Sequence, residues 1–237
     1  MNKFRTCTII LTIIWLLTSP VNGQVSFQVG GNFTLGFPQN EFKDHIDNIG
    51  YGGTGHFAYH FPQSPLFVGA SGSFLIYGRE TREEPFSTTI PDVFVDVTTT
   101  NSIIMGHLFF RLQPPEGSIL PYLDGLFGFS YLATRTSIEN QANNEEVASS
   151  TNFDDITFNY GTGGGLMIRV YKPDKQDLTK NDLQAVYIDL GVHYIKGGEA
   201  EYLKKGSILI ENGKLTYDIN KSATDLITGH VGVTFTF

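Results

Sequence analysis

The segment Gly229-His230-Val231-Gly232-Val233-Thr234-Phe235-Thr236-Phe237 alternates without a break. Val231, Val233, Phe235 and Phe237 share one parity; His230, Gly232, Thr234 and Thr236 share the other. Successive side chains of a strand point to opposite faces, so this is a ribbon with one apolar face and one small, polar face. Termini ordinarily fray, which makes an aromatic-rich strand at the end of the sequence costly unless it pairs. A barrel supplies the partner by joining its last strand to its first and leaving no edge.

The same period recurs upstream. Val25 to Phe37 sets Val25, Phe27, Val29, Phe33, Leu35 and Phe37 against Gln28, Gly30, Asn32 and Thr34. Ile49 to Phe61 and Leu66 to Tyr77 repeat it across the turn Pro62-Gln63-Ser64-Pro65. The polar stretch Arg79–Asp92 reads as a loop, and a fourth strand ends near Gln113, with Val93–Val97 continuing it past the main span. After Pro114-Pro115-Glu116-Gly117 come Pro121 to Ala133, a polar loop Thr136–Asp154, and Ile156 to Val170. Lys172–Asp182 turns the chain into a seventh strand carrying Val186, Ile188, Leu190, Val192 and Tyr194. Between Lys196 and Ser222, Asn212-Gly213 sits between two short alternating arms, the strongest local signal for a hairpin. Those arms are too short to cross a bilayer, where strands need roughly 9–11 residues. The expectation is an all-β, eight-stranded antiparallel barrel with a hairpin standing above it and connections that alternate between short and long.

Alternation alone leaves the outward face open, because a soluble lipocalin-like barrel has the same period with its apolar face inward. Charge placement decides. The apolar parity of the eight spans carries no Lys, Arg, Asp or Glu, as lipid requires when a midplane Arg or Lys costs roughly 2–4 kcal/mol. The other parity is mostly Gly, Ser, Thr, Asn and His, with isolated charges at Arg111, Asp124, Arg169 and Asp189. That composition suits a narrow lumen. Aromatics collect at the strand ends: Phe27, Phe61, Phe110 and Phe237 at one rim, Tyr51, Tyr131, Tyr160 and Tyr194 at the other.

Taken together, these features resemble bacterial outer-membrane β-barrels, specifically small eight-stranded barrels of the outer membrane protein A transmembrane type. The resemblance covers the whole chain after its leader. It implies short periplasmic turns, long external loops, a setting in outer-membrane lipid and residence as a monomer. It also implies that Val231, Val233, Phe235 and Phe237 form the C-terminal signal read by the outer-membrane barrel assembly machinery. Its functional expectation is a non-enzymatic barrel serving envelope structure, adhesion or surface recognition. The alternatives are a lipid-modifying enzyme of the outer membrane and a narrow pore.

The N-terminus fits that destination. Lys3 and Arg5 precede the apolar run Cys7–Leu17, and Val21-Asn22-Gly23 offers small residues for cleavage, so residues 1–23 read as a signal peptide and 24–237 as the barrel domain. Cleavage after Gly23 removes the single Cys and single Trp. It also removes two of the 16 basic residues facing 24 acidic ones, taking the formal charge from −8 to −10. Disulfide and thiolate chemistry are thereby excluded, and an acidic surface argues against nucleic acid as a partner.

Few motifs compete. Gly50-Tyr51-Gly52-Gly53-Thr54-Gly55 fits a dinucleotide fingerprint, but that motif needs a following helix and here a strand follows. His56, His60, His107, His193 and His230 lie on the polar parity, and His45 lies in a loop. None has metal-ligand spacing, so no metal or other cofactor is expected. Arg111 and Asp124 flank one short turn, and Arg169 and Asp189 flank the other. They are expected to face inward as two lumen ion pairs that block the barrel.

Overall fold

The structure, a computed structural model, describes residues 26–87, 90–140, 146–173, 183–211 and 214–237. Eight strands close a barrel: β1 (Phe27–Pro38), β2 (Gly50–His60), β3 (Leu66–Ser87), β4 (Ile90–Leu112), β5 (Ile119–Asn140), β6 (Glu146–Tyr171), β7 (Ala185–Gly197) and β12 (Leu226–Thr236). Every neighbouring pair is antiparallel, and β12 pairs with both β7 and β1. The seam is completed by two backbone bonds, Phe27 N–H to the Phe237 carbonyl (3.1 Å) and Phe237 N–H to the Phe27 carbonyl (2.9 Å). The two rings stack there with centroids 4.9 Å apart. The leader and Val25 lie outside the described residues.

The apolar parity faces out. Leu108 is 59% exposed, Phe110 57% and Tyr160 55%, and Val231, Val233 and Phe235 join them on the outer surface. A continuous apolar exterior of this kind is a lipid-facing surface, because water would penalise a patch far above the few hundred Å² usual for soluble monomers. The chain is therefore a transmembrane barrel.

Two loops expected from composition are strands. Arg79–Asp92 was expected to be polar loop, yet β3 and β4 stay paired from Gly78↔Asn101 outward to Ser87↔Ile90. Thr136–Asp154 likewise pairs within β5 and β6 over most of its length. Polar character misleads here because the hairpins stand in water and need no apolar face. β-branched residues and a threonine ladder hold them instead: Thr81 to Thr98 (3.0 Å), Thr99 to Thr136 (3.1 Å), and Asn152 Nδ2 to Thr136 Oγ1 (2.9 Å). The ladders shift register at Tyr77, Asn152 and Val147, and again between Pro85 and Ser87, irregularities that locally sharpen strand twist. The strands β3 to β6 run 22, 23, 22 and 26 residues against 12 and 11 for β1 and β2. The excess carries one half of the wall roughly 30 Å along the strands beyond the other half.

The remaining elements gather at the same end. Helix α1 (Asn40–His45) lies between β1 and β2. Strands β8 (Glu199–Tyr202) and β11 (Asn220–Ala223) pair with each other, as do β9 (Ile208–Glu211) and β10 (Lys214–Tyr217). The expected hairpin is the β9–β10 pair, whose Asn212-Gly213 turn lies outside the described residues. Most of the turn Lys172–Asp182 lies outside them too.

Candidate functional site

Small polar residues do fill much of the lumen, with Gln28, Asn32, Thr34, Ser73, Ser130 and Asn159 all buried there. Apolar side chains and a charged network lie among them. At the short-turn end Leu120, Tyr122, Met167, Ala185 and Tyr187 pack together. Towards the long-hairpin end Leu75, Ile103 and Leu132 sit opposite one another on adjacent strands, joined by Ile195 and Leu226. A charged layer sits against these apolar groups, with Phe67 directly across a rung from Arg111. These apolar residues share the inner parity with small polar ones, so no single strand displays them as a row; register brings them together.

The charged layer is built on Asp124 and Asp189, buried to 3% and 0% exposure. Arg111 grips Asp124 bidentately, Nε to Oδ1 and Nη2 to Oδ2 both at 2.8 Å. The pair stands directly across a rung, Arg111↔Asp124, because the Pro114–Gly117 connection sets the β4–β5 register. The guanidinium also lies 3.8 Å above the Tyr122 ring and 5.3 Å from that of Phe109. On its far side Asp124 Oδ2 meets His193 Nε2 at 3.0 Å. His193 stacks on His230 at 5.2 Å, which leads to the second carboxylate. Asp189 accepts the Tyr122 hydroxyl (2.8 Å), has Thr234 Oγ1 at 3.5 Å and His230 Nε2 at 3.7 Å. Tyr122 thus joins the two halves, its hydroxyl also 3.1 Å from His230 Nε2. Close approach at Tyr122 requires glycine: a Cβ at Gly191 would collide with its hydroxyl and with the His230 ring.

Arg169 does not pair with Asp189. Arg169 stands opposite Tyr187 and Asp189 opposite Met167, one inward position apart, and the register shifts just beyond Arg169. Arg169 instead donates through Nη2 to Ser118 Oγ (2.7 Å) at the barrel edge, half-exposed. Asp189 takes its partners from β5 and β12 rather than β6. Parity gives the two the same face; register, which no residue in the Lys172–Asp182 turn announces, sets them apart.

Chemically, two buried carboxylates, one guanidinium, two imidazoles and a phenol form one hydrogen-bonded network in a low-dielectric interior. Such a network is rigid when each member is satisfied. Above it lies a cavity of about 40 Å³, lined by Asn32, Thr34, His56, Ser73, His107 and neighbours, which is room for one or two waters. Thr234 Oγ1 ties this cavity to the network through His56 Nε2 at 3.3 Å.

The long-hairpin mouth is covered. Helix α1 carries Glu41 in its first turn and Lys43 and His45 in its last, matching the helix dipole, and lowers the fully buried Phe42 into the mouth. The Phe42 ring meets Tyr202 edge-on at 5.1 Å and Tyr77 at 6.2 Å. Asn40 enters the helix at φ 51°, a left-handed conformation that Asn tolerates, and donates to Asp225 Oδ2 at 2.7 Å. Asp225, itself buried, also accepts from Tyr194 Oη (3.3 Å) and Gly197 N–H (3.1 Å), and its carbonyl accepts from Gln39 N–H (2.9 Å). His45, expected in a loop, is in this helix, and its Nδ1 lies 3.3 Å from the Tyr202 hydroxyl. Sequence reasoning missed Phe42 and Asp225. An isolated six-residue helix has no readable period, and an aspartate in a loop carries no sign of its partners.

No protein-family model matches the chain, and no curated protein resembles it at a significant level. Among solved structures it is similar to Neisserial surface protein A, NspA, at 10% identity over 90% of this chain and 95% of that one, with a TM-score of 0.35. It is also similar to Ail, the attachment invasion locus protein of Yersinia pestis, solved with the heparin analogue sucrose octasulfate. That likeness is at 16% identity over 91% and 99% of the two chains, with a TM-score of 0.34. Both likenesses are too loose to bear weight, and the barrel rests on its own closed ladder of strands.

Proposed function

We propose that this chain is a monomeric, non-enzymatic barrel of a bacterial outer membrane whose lumen is plugged. It presents its long hairpins outside the cell for adhesion, surface recognition or envelope structure. The observation that carries this reading is the division of its surface: a charge-free apolar belt around the barrel, and beyond one rim the water-facing arms of β3 to β6. In this reading the short turns face the periplasm, outer-membrane lipid surrounds the belt, and the assembly machinery reads the terminal strand Val231–Phe237. Plugging is supported twice over, by the Arg111–Asp124 layer and by the Phe42 cap. The absence of enzymatic activity is supported by the engagement of Asp124 with His193 and of Asp189 with Tyr122 and His230, all facing inward. No external ligand is assigned to the arms.

Two measurements test this. Protease added to intact cells should cut in the arms beyond Tyr77 and Ala133 and leave the barrel whole. Reconstituted in planar bilayers, the purified protein should give no steady single-channel conductance. Stable conductance at neutral pH would replace the plugged barrel with a narrow pore, and altered envelope lipids after deletion of the gene would favour a lipid-modifying enzyme.

A further inference from the structure

At the rim where the arms begin, the β2–β3 ladder ends at Tyr51↔Ile76 and β3 bulges at Tyr77. The parting of the strands leaves a hollow of about 330 Å³ open to the outside. Its membrane side is Ile49, Tyr51 and Ile76, continuous with the apolar belt; its water side is Asn48, Arg79 and Lys205. Arg79 and Lys205 are both exposed, and among the described residues neither is bonded to a carboxylate. Alternation turns Glu80 to the other face of the arm. No Asp or Glu lines the hollow, in a chain with 24 acidic and 16 basic residues.

Lys205 is held there by buried anchors. Leu203 is fully buried, and its carbonyl accepts from Tyr77 Oη (3.3 Å) and Asn101 Nδ2 (3.1 Å), tying the segment to β3 and β4. The next residues form a tight turn, with Gly206 at φ 82° and Ser207 N–H bonded to the Lys204 carbonyl at 3.1 Å. The fold thus brings two cations from distant parts of the chain to one hollow whose lining contains no carboxylate. Like charges repel, so the arrangement is favourable when an anion sits between them.

We propose that this hollow binds the phosphate-bearing headgroup of a membrane lipid in the leaflet on the long-hairpin side. Arg79 and Lys205 hold the phosphate, Asn48 offers a further polar contact, and Tyr51, Ile49 and Ile76 lie along the first carbons of an acyl chain. The occupant is a lipid rather than a free anion because Ile49, Tyr51 and Ile76 on one side of the hollow continue the lipid-facing belt. This inference rests on the membrane reading above.

The test is native mass spectrometry of the full mature protein in detergent, with lipid A as the phosphorylated lipid and the same glycolipid stripped of its phosphates as control. Lipid A should remain bound, and dephosphorylation or Lys205→Ala should weaken retention about tenfold, as expected for losing a charge-assisted contact. Arg79→Lys with Lys205→Arg should retain the lipid. Lys205 is exposed in a turn, so its variant should keep the heat-modifiable gel mobility of the folded barrel. Equal retention of both glycolipids, or of lipid A by wild type and Lys205→Ala, would overturn the proposal. Displacement by millimolar inorganic phosphate would overturn the lipid as its source. Failure of the membrane reading is distinguishable, since the protein would then stay soluble as a monomer without detergent.

Discussion

The Arg111–Asp124 pair sits where Coulomb attraction and desolvation are both large, and the two make opposite demands on single and double substitutions. Both side chains are buried, and their two bonds measure 2.8 Å. Removing one partner leaves an uncompensated charge in the wall, which costs about 3–5 kcal/mol, two to three and a half orders of magnitude in the folding equilibrium. Arg111 also loses its position over Tyr122, about 1–2 kcal/mol more when desolvated. Arg111→Met, which also empties the place over Tyr122, and Asp124→Leu, which also frees His193, are therefore both expected to be strongly destabilising. The double variant removes both charges and fills the space with apolar atoms, so it should lose only about 1–2 kcal/mol, a coupling of about 5 kcal/mol or more. Urea unfolding in detergent micelles measures each stability, with the fast-migrating folded band on a gel as readout. Additive single losses, or an Arg111 variant within about 1 kcal/mol of wild type, would refute a lumen held by this ion pair.

Other outcomes follow from the same geometry. Phe237→Asp breaks the Phe27 stack and puts a charge at the lipid-facing seam, so it should reduce the yield of folded barrel far more than Thr81→Asp in the water-standing arm; equal yields would count against the terminal strand as the closing element. Phe42→Ala empties the cap and should cost about 3–5 kcal/mol if the cap folds with the barrel, and protease should then cut near α1 in otherwise intact protein. Gly191→Ala forces Tyr122 off Asp189 and should leave little heat-modifiable protein, whereas wild-type behaviour would mean the network is loosely packed. The wild-type mature chain should partition wholly into the detergent phase of a cloud-point extraction, and recovery from the aqueous phase would contradict a lipid-facing belt.

What the sequence determined by itself is the barrel and its polarity. Period two over eight segments, Phe237 on the apolar parity of the last, and charges confined to the opposite parity dictate a closed wall with lipid outside, because those are facts about single strands and one solvent. It also put Arg111 and Asp124 inward on either side of a short turn. Which inward residues meet is a matter of how the strands are staggered against one another. Arg169 and Asp189 share a face yet are one inward position out of register, so Asp189 turns to Tyr122 and His230 across the lumen. The Leu75–Ile103–Leu132 row, the Phe42 cap and the Asp225 hub are likewise products of strand stagger and of segments far apart in the chain. Parity is a local property, carried by each pair of neighbouring residues; register and closure arise between strands, from turn lengths, bulges and stagger that no single segment encodes.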